Sequence, residues 1–158
     1  MTDRTRAVLG FVIALATALL SSACDRRESH YAALSEVGDA VALGWLPGWI
    51  TSDATNIREV HDLDTNRSCG MFTFADAGSS ELANGCREFR PSQYPLPHEQ
   101  SAPWWPKELT GSGSTTPRFR LMVCKERSAD KAGQWDNSGD LVAVDDKARV
   151  AYFWRLPG

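Results

Sequence analysis

The sequence predicts a single α+β domain, an antiparallel sheet of four or five strands with two short helices on one face. Three observations carry this expectation. Residues 68–75 alternate, with Phe72 and Phe74 on one side and Cys69, Met71 and Thr73 on the other, the two-residue period of a strand. Residues 141–144 and 149–155, joined by Asp145–Ala148, are rich in Val, Tyr, Phe and Trp, as a closing hairpin would be. Two stretches instead space their apolar residues by three and four, as on a helix face: Tyr31, Leu34, Val37 and Val41, then Leu82, Cys86 and Phe89.

Taken in order, the chain begins with Arg4 and Arg6, continues uncharged from Ala7 to Ala23, and closes on Ser21-Ser22-Ala23 before Cys24. A positive start, an apolar middle and a small-residue end are the pattern of an export signal. With a cysteine at the cut it resembles a bacterial lipoprotein signal, which implies a signal peptide over 1–23. Cys24 would then be the lipidated first residue of the mature chain, residues 24–30 a tether and 31–158 the domain. Two alternatives stay open. Ser21 and Ala23 also satisfy an ordinary cleavage site, and the uncharged run sits at the short edge of the ~17–25 residues that span a bilayer. Acylation of that class implies an anchor stronger than the two membrane signals that suffice for stable attachment. Asp25 leans towards retention at the inner membrane. Without Asp3, Arg4 and Arg6 the chain keeps 15 basic and 19 acidic residues, a net charge of −4. That balance argues against nucleic acid and against electrostatic attraction to anionic lipid as partners.

Beyond the tether, Ser29 caps the first predicted helix and Gly44 closes it, with Pro47 preventing continuation. Residues 50–62 are expected as a poorly alternating strand and Asp64-Thr65-Asn66 as a turn whose side chains bond their own backbone. Ser79 or Ser80 caps the second predicted helix. Residues 91–117 hold six of the eight prolines and a GSGSTT run, an unusually long connection for a compact domain. Trp104-Trp105-Pro106 is expected to pin its middle to the core. Residues 118–125 are expected as a further strand.

The search for chemistry is mostly negative. No nucleophile elbow, phosphate loop, dinucleotide fingerprint or zinc-protease helix motif occurs, and no cofactor is expected. His30, His61 and His98 are far apart and suggest no zinc site. Asp62-x-Asp64-x-Asn66 imitates a calcium loop but has Arg67 where glycine is needed and Thr73 where a bidentate Glu belongs. Pro103-Trp104-Trp105-Pro106 spells a chromatin-reading motif, which an exported acidic chain does not suit. Trp104 and Trp105 form a candidate surface for cell-wall glycan or peptide, against the plainer reading that the indoles anchor loop and core. A thiol hydrolase would need a base near its cysteine, and only Cys69, eight residues after His61, has one nearby in sequence.

Residues 45–74 carry Trp45-Leu46-Pro47, a step from Ala54 to Ile57, Asp64-Thr65-Asn66 and the strand Phe72-Thr73-Phe74. In these features the chain resembles a family of small uncharacterised bacterial proteins, many of them lipoproteins. Asp53 stands where that family carries Ser, and Cys69-Gly70 where it carries a bulkier pair. The resemblance implies a fold and a location and lends no mechanism. It also implies a Cys86–Cys124 disulfide, in a compartment that permits one. Strand parity sets Cys69 and Cys124 each opposite a phenylalanine-bearing face, which keeps Cys69–Cys124 as the rival. The resulting expectation is a non-catalytic, lipid-anchored envelope protein facing the periplasm or exterior, with an unknown envelope partner.

Overall fold

The computed structural model describes residues 26–65, 67–89, 102–110, 117–124 and 139–155. The leader, Cys24, the GSGSTT run, His98 and Trp135 lie outside the described residues. Seven strands form one antiparallel sheet: β1 (Arg26–Ala33), β2 (Thr55–Asp62), β3 (Arg67–Thr73), β4 (Cys86–Glu88), β5 (Arg120–Cys124), β6 (Asp140–Asp145) and β7 (Val150–Arg155). Their order is β1-β2-β3-β7-β6-β5-β4, so the β3–β7 pair joins an N-terminal meander to a C-terminal one. Among the described residues one α-helix, α1 (Asp76–Gly85), precedes β4. The fold is therefore mostly sheet, with more strands and fewer helices than the sequence predicts.

The missing helix is the one expected from Ser29. Residues 26–33, of which 26–30 were expected as tether, are instead β1, paired with β2 from Arg26↔Asp62 to Ala33↔Thr55. Two 3₁₀ turns follow, Leu34–Glu36 and Gly38–Ala40. Gly38 and Gly44 take φ of 52° and 79°, a conformation glycine adopts without steric cost and a continuous helix does not contain. Leu34, Val37 and Val41 still reach one core, which is why their spacing imitates a helix face. The poor alternation of residues 50–62 also has a local cause. Asn56 sits at φ 47° beside a register shift between Thr55 and Arg58, and the bulge interrupts the two-residue period.

Both faces of the sheet are covered. Ile57, Phe72, Met122, Val142, Val144, Ala151 and Phe153 project to one face, where Leu46, Trp49, Ile50 and Leu82 of α1 pack over them. Cys69, Met71, Leu121, Leu141, Tyr152 and Trp154 project to the other, beneath Trp105, Leu109 and Phe119. Trp105 is 6% exposed, with its ring 4.8 Å from that of Trp154 and 5.6 Å from that of Tyr152. The indole expected to pin the long connection does so.

α1 starts at Asp76, three residues before the expected cap, and its N-cap residue Ala75 offers no side-chain bond. The acceptor arrives from elsewhere: Asp53 Oδ2 accepts the N–H of Ala75 at 3.0 Å and of Gly78 at 2.8 Å. Burial raises the Asp53 carboxyl, but these N–H donors outweigh it and hold the group below its ordinary range. α1 also ends before Cys86, which opens β4. Cys86 and Phe89 consequently fall on opposite faces of the sheet instead of one face of a helix.

Cys86 and Cys124 are cross-strand partners in the β4–β5 register and form a disulfide. The rival pairing fails on topology. Phe72 and Phe119 belong to opposite cores, so residues opposite each of them also lie on opposite faces. Cys69 is on one side of the sheet and Cys124 on the other.

Gly70 is the register partner of both Glu59 and Phe153. A Cβ there would overlap the Phe153 ring and the Arg58 carbonyl oxygen, and the backbone oxygen cannot yield. Gly70→Ala should therefore destabilise the fold by about 2 kcal/mol or more, the upper range of overpacking costs. Gly48→Ala, at an exposed glycine whose Cβ would meet nothing within 4 Å, should change stability little. Urea denaturation of both variants checks the contrast.

Candidate functional site

The face that bears Ile57 turns polar along β2. Glu59 and His61 follow at two-residue steps and are 0% and 3% exposed. Strand parity directs both under the 34–54 segment, and Trp45 of that segment stacks on His61, with ring centroids 4.1 Å apart and planes 8° from parallel. His61 Nδ1 donates to the Glu59 carboxylate at 2.9 and 3.1 Å. Burial pushes the Glu59 carboxyl above its ordinary range, against the opposing pull of the bonds from His61 and Ser29.

With Nδ1 turned to Glu59, the His61 ring turns Nε2 the other way. Ser68 is its register partner on β3. Both His61 Nε2 and Ser68 Oγ are buried without a hydrogen-bond partner, and both residues line a cavity of about 40 Å³ with Gly44, Trp45, Asp62, Leu63 and Arg67. The cavity has room for water-sized occupants with polar groups to hold them. Arg155, which pairs with Ser68 in register, donates through Nη1 to the Leu46 carbonyl at 2.7 Å and ties the cover to the sheet beside this cavity.

Carboxylate, imidazole and hydroxyl stand here in the order that activates a serine nucleophile. Access argues against that use. Nε2 and Oγ lie below the surface, and a nucleophile must reach its substrate at a near-attack distance. The arrangement instead suits a buried polar layer that positions Trp45 and binds solvent-sized groups.

The sequence-predicted residues are dispersed. Cys69 is buried on the opposite face from His61, because successive strand residues alternate. It stays a thiol, and burial pushes it up to about 12, far from the depressed value of a reactive thiolate. The Cys69/His61 pairing is therefore corrected. Trp105 belongs to the core and is not part of an open platform. Trp104 is half-buried and donates through Nε1 to Glu28 at 2.7 Å. At the β2–β3 turn, Asp62 Oδ1 accepts the N–H groups of Asp64 and Thr65 at 2.9 and 3.0 Å, so an Asx turn replaces the imitation calcium loop. Among the described residues no group of three or more His, Cys, Asp or Glu is placed to hold a metal ion.

Glu59, Ser68 and Trp45 went unrecognised as a group. The signal for Glu59 was present in its two-residue step from Ile57 to His61, whereas Ser68 and Trp45 needed register and cover. A second buried carboxyl, Asp140, accepts from Trp49 Nε1 at 2.7 Å. Burial raises it from 3.8 to about 6 against that bond.

A family model described as YbbD head domain matches residues 25–73, which indicates a small bacterial family for this segment. The match covers less than half of the chain and contains Trp45, Glu59, His61 and Ser68. No curated protein and no solved structure matches the chain.

Removing the imidazole strands a buried carboxylate. His61→Ala should cost about 3–5 kcal/mol, as for other buried pairs deprived of one partner, while Ser68→Ala should cost far less; urea denaturation separates them. For Asp140 the native state binds its proton more tightly than the unfolded chain. Its contribution is thus complete below about pH 4 and is lost as pH rises through about 6, a change of about 3 kcal/mol at 1.36 kcal/mol per pKa unit. Asp140→Asn, whose amide oxygen still accepts from Trp49, should lack this fall when denaturation is measured from pH 4 to 7.

Proposed function

We infer that the chain is a non-catalytic, lipid-anchored protein of the bacterial cell envelope, held at a membrane through Cys24 and acting by binding or structural association. The observation that carries this reading is the Cys86–Cys124 disulfide. Disulfides persist in oxidising compartments outside the cytoplasm, and the leader, with Arg4, Arg6, the uncharged stretch and Cys24, is what would deliver the chain to one. Cross-linking β4 to β5 across a sequence separation of 38 contributes about 4 kcal/mol in the chain-entropy model. The domain benefits from that staple only where it can form.

The covered sheet supports a binding or structural role over catalysis. Both faces are covered, and His61 Nε2 and Ser68 Oγ are buried. The acidic balance speaks against nucleic acid as a partner. Asp25 favours the inner membrane over the outer.

Expression of the full-length chain in a bacterial host should yield a membrane-fraction protein whose N-terminal peptide starts at Cys24 and carries acyl chains by mass spectrometry. Cys24→Ala should leave the membrane fraction or keep its leader. Recovery of the unvaried chain from the cytosol at full length, without adduct, overturns the reading.

A further inference from the structure

Among the described residues the large apolar side chains most open to solvent are Leu43 and Leu63, at 54% and 49% exposure. They are 20 residues apart in sequence yet flank one place. Leu63 lines the cavity beside His61, and Leu43 directly precedes Gly44, which lines it too. β1 begins at the same end of the sheet, where Arg26 pairs with Asp62, the neighbour of Leu63.

Only Asp25 separates Arg26 from Cys24. Two residues reach at most about 7 Å. Crossing from Arg26 to Asp62 adds about 5 Å and one further residue about 4 Å, so Leu63 lies within about 16 Å of Cys24. There is no tether to let the domain turn away from its anchor.

We propose that this end of the sheet faces the bilayer and that Leu43 and Leu63 insert at the acyl boundary beside the Cys24 lipid. The proposal rests on the lipidation of Cys24 inferred above. The occupant is lipid because chain length keeps residue 24 within about 16 Å of Leu63, at the end of the sheet where the cavity flanked by Leu43 lies. Trp45, half-buried and lining the same cavity as Leu63, has the amphipathic ring that favours the headgroup level. The contact is apolar in character. Arg26, Arg27 and Arg67 stand at this end, but Asp62 and Asp64 stand with them, so raised salt leaves the contact in place. The opposite end, the β6–β7 turn with Lys147, points away from the membrane.

The test uses the full chain, processed in cells, purified and reconstituted into vesicles of phosphatidylethanolamine and phosphatidylglycerol. Leu63→Cys and Lys147→Cys variants each carry an environment-sensitive fluorophore at an exposed position, and the buried Cys69 does not compete for label. Mass spectrometry of the N-terminal peptide is read first. With the adduct present, emission at 63 should shift to shorter wavelength and lose most of its intensity to nitroxide-labelled acyl chains, while the label at 147 stays in water. Adduct present with 63 behaving like 147, whether both are quenched or neither, overturns the orientation and leaves the anchor standing. Absence of the adduct overturns the anchor and the orientation together.

Discussion

A sheet that is apolar on both faces is the constraint from which the rest of this structure follows. Phe72 and Phe153 face one way, Met71, Tyr152 and Trp154 the other, and neither set can be left to water. At roughly 25 cal/mol for each Å² of apolar surface, each face requires a cover. The chain supplies the two covers from different places. Residues 34–54 and α1 close the first face, and the stretch around Trp105 and Leu109 closes the second. The pairing of β3 with β7 brings the two meanders together under both covers, and Gly70 permits it by leaving room for the Phe153 ring.

The first cover is not uniformly apolar, and its exception lies at one end. Where β2 runs out, Glu59 and His61 replace the aliphatic residues, and Trp45 stacks on the imidazole instead of on a hydrocarbon. Burial works against the Glu59 charge, and the bond from His61 Nδ1 opposes it only in part. The imidazole meets Glu59 at Nδ1 and turns its other nitrogen towards Ser68 and a small cavity. The same end carries the start of β1 and the exposed Leu43 and Leu63. Polar interior, exposed leucines and the start of β1 thus meet at one rim, while the far rim is tied by Arg118–Asp145 and Arg120–Asp146 pairs, both at 2.7 Å.

Much of the strand content was legible because a period of two survives any tertiary context. The split of Phe72 and Phe74 from Cys69 and Met71 holds residue by residue, as does the closing hairpin. Failures cluster where a three-and-four spacing arises without a helix. Tyr31 lies on a strand, Leu34 in one 3₁₀ turn, and Val37 and Val41 on either side of the next, yet all reach one core, so burial imitated helical periodicity. Leu82 and Cys86 share that core across a helix–strand boundary, while Phe89 falls in the other. Residues that departed from the family resemblance proved informative: Asp53 caps α1 from a distance, and Gly70 admits Phe153.

By itself the sequence determined the alternating strand at Phe72 and the closing hairpin, a turn after β2, and that the Trp104-Trp105 pair anchors the long connection. Each is local, set by side-chain direction, backbone bonding or sheer apolar area. Only the tertiary structure decided that Cys86 meets Cys124, that Cys69 and His61 lie on opposite faces, and that Glu59, His61, Ser68 and Trp45 share one site. Those facts depend on strand order and register, and register is a property of pairs of strands. Shifting a pairing by one residue would exchange every inward side chain for an outward one, and no single strand carries the information that forbids it.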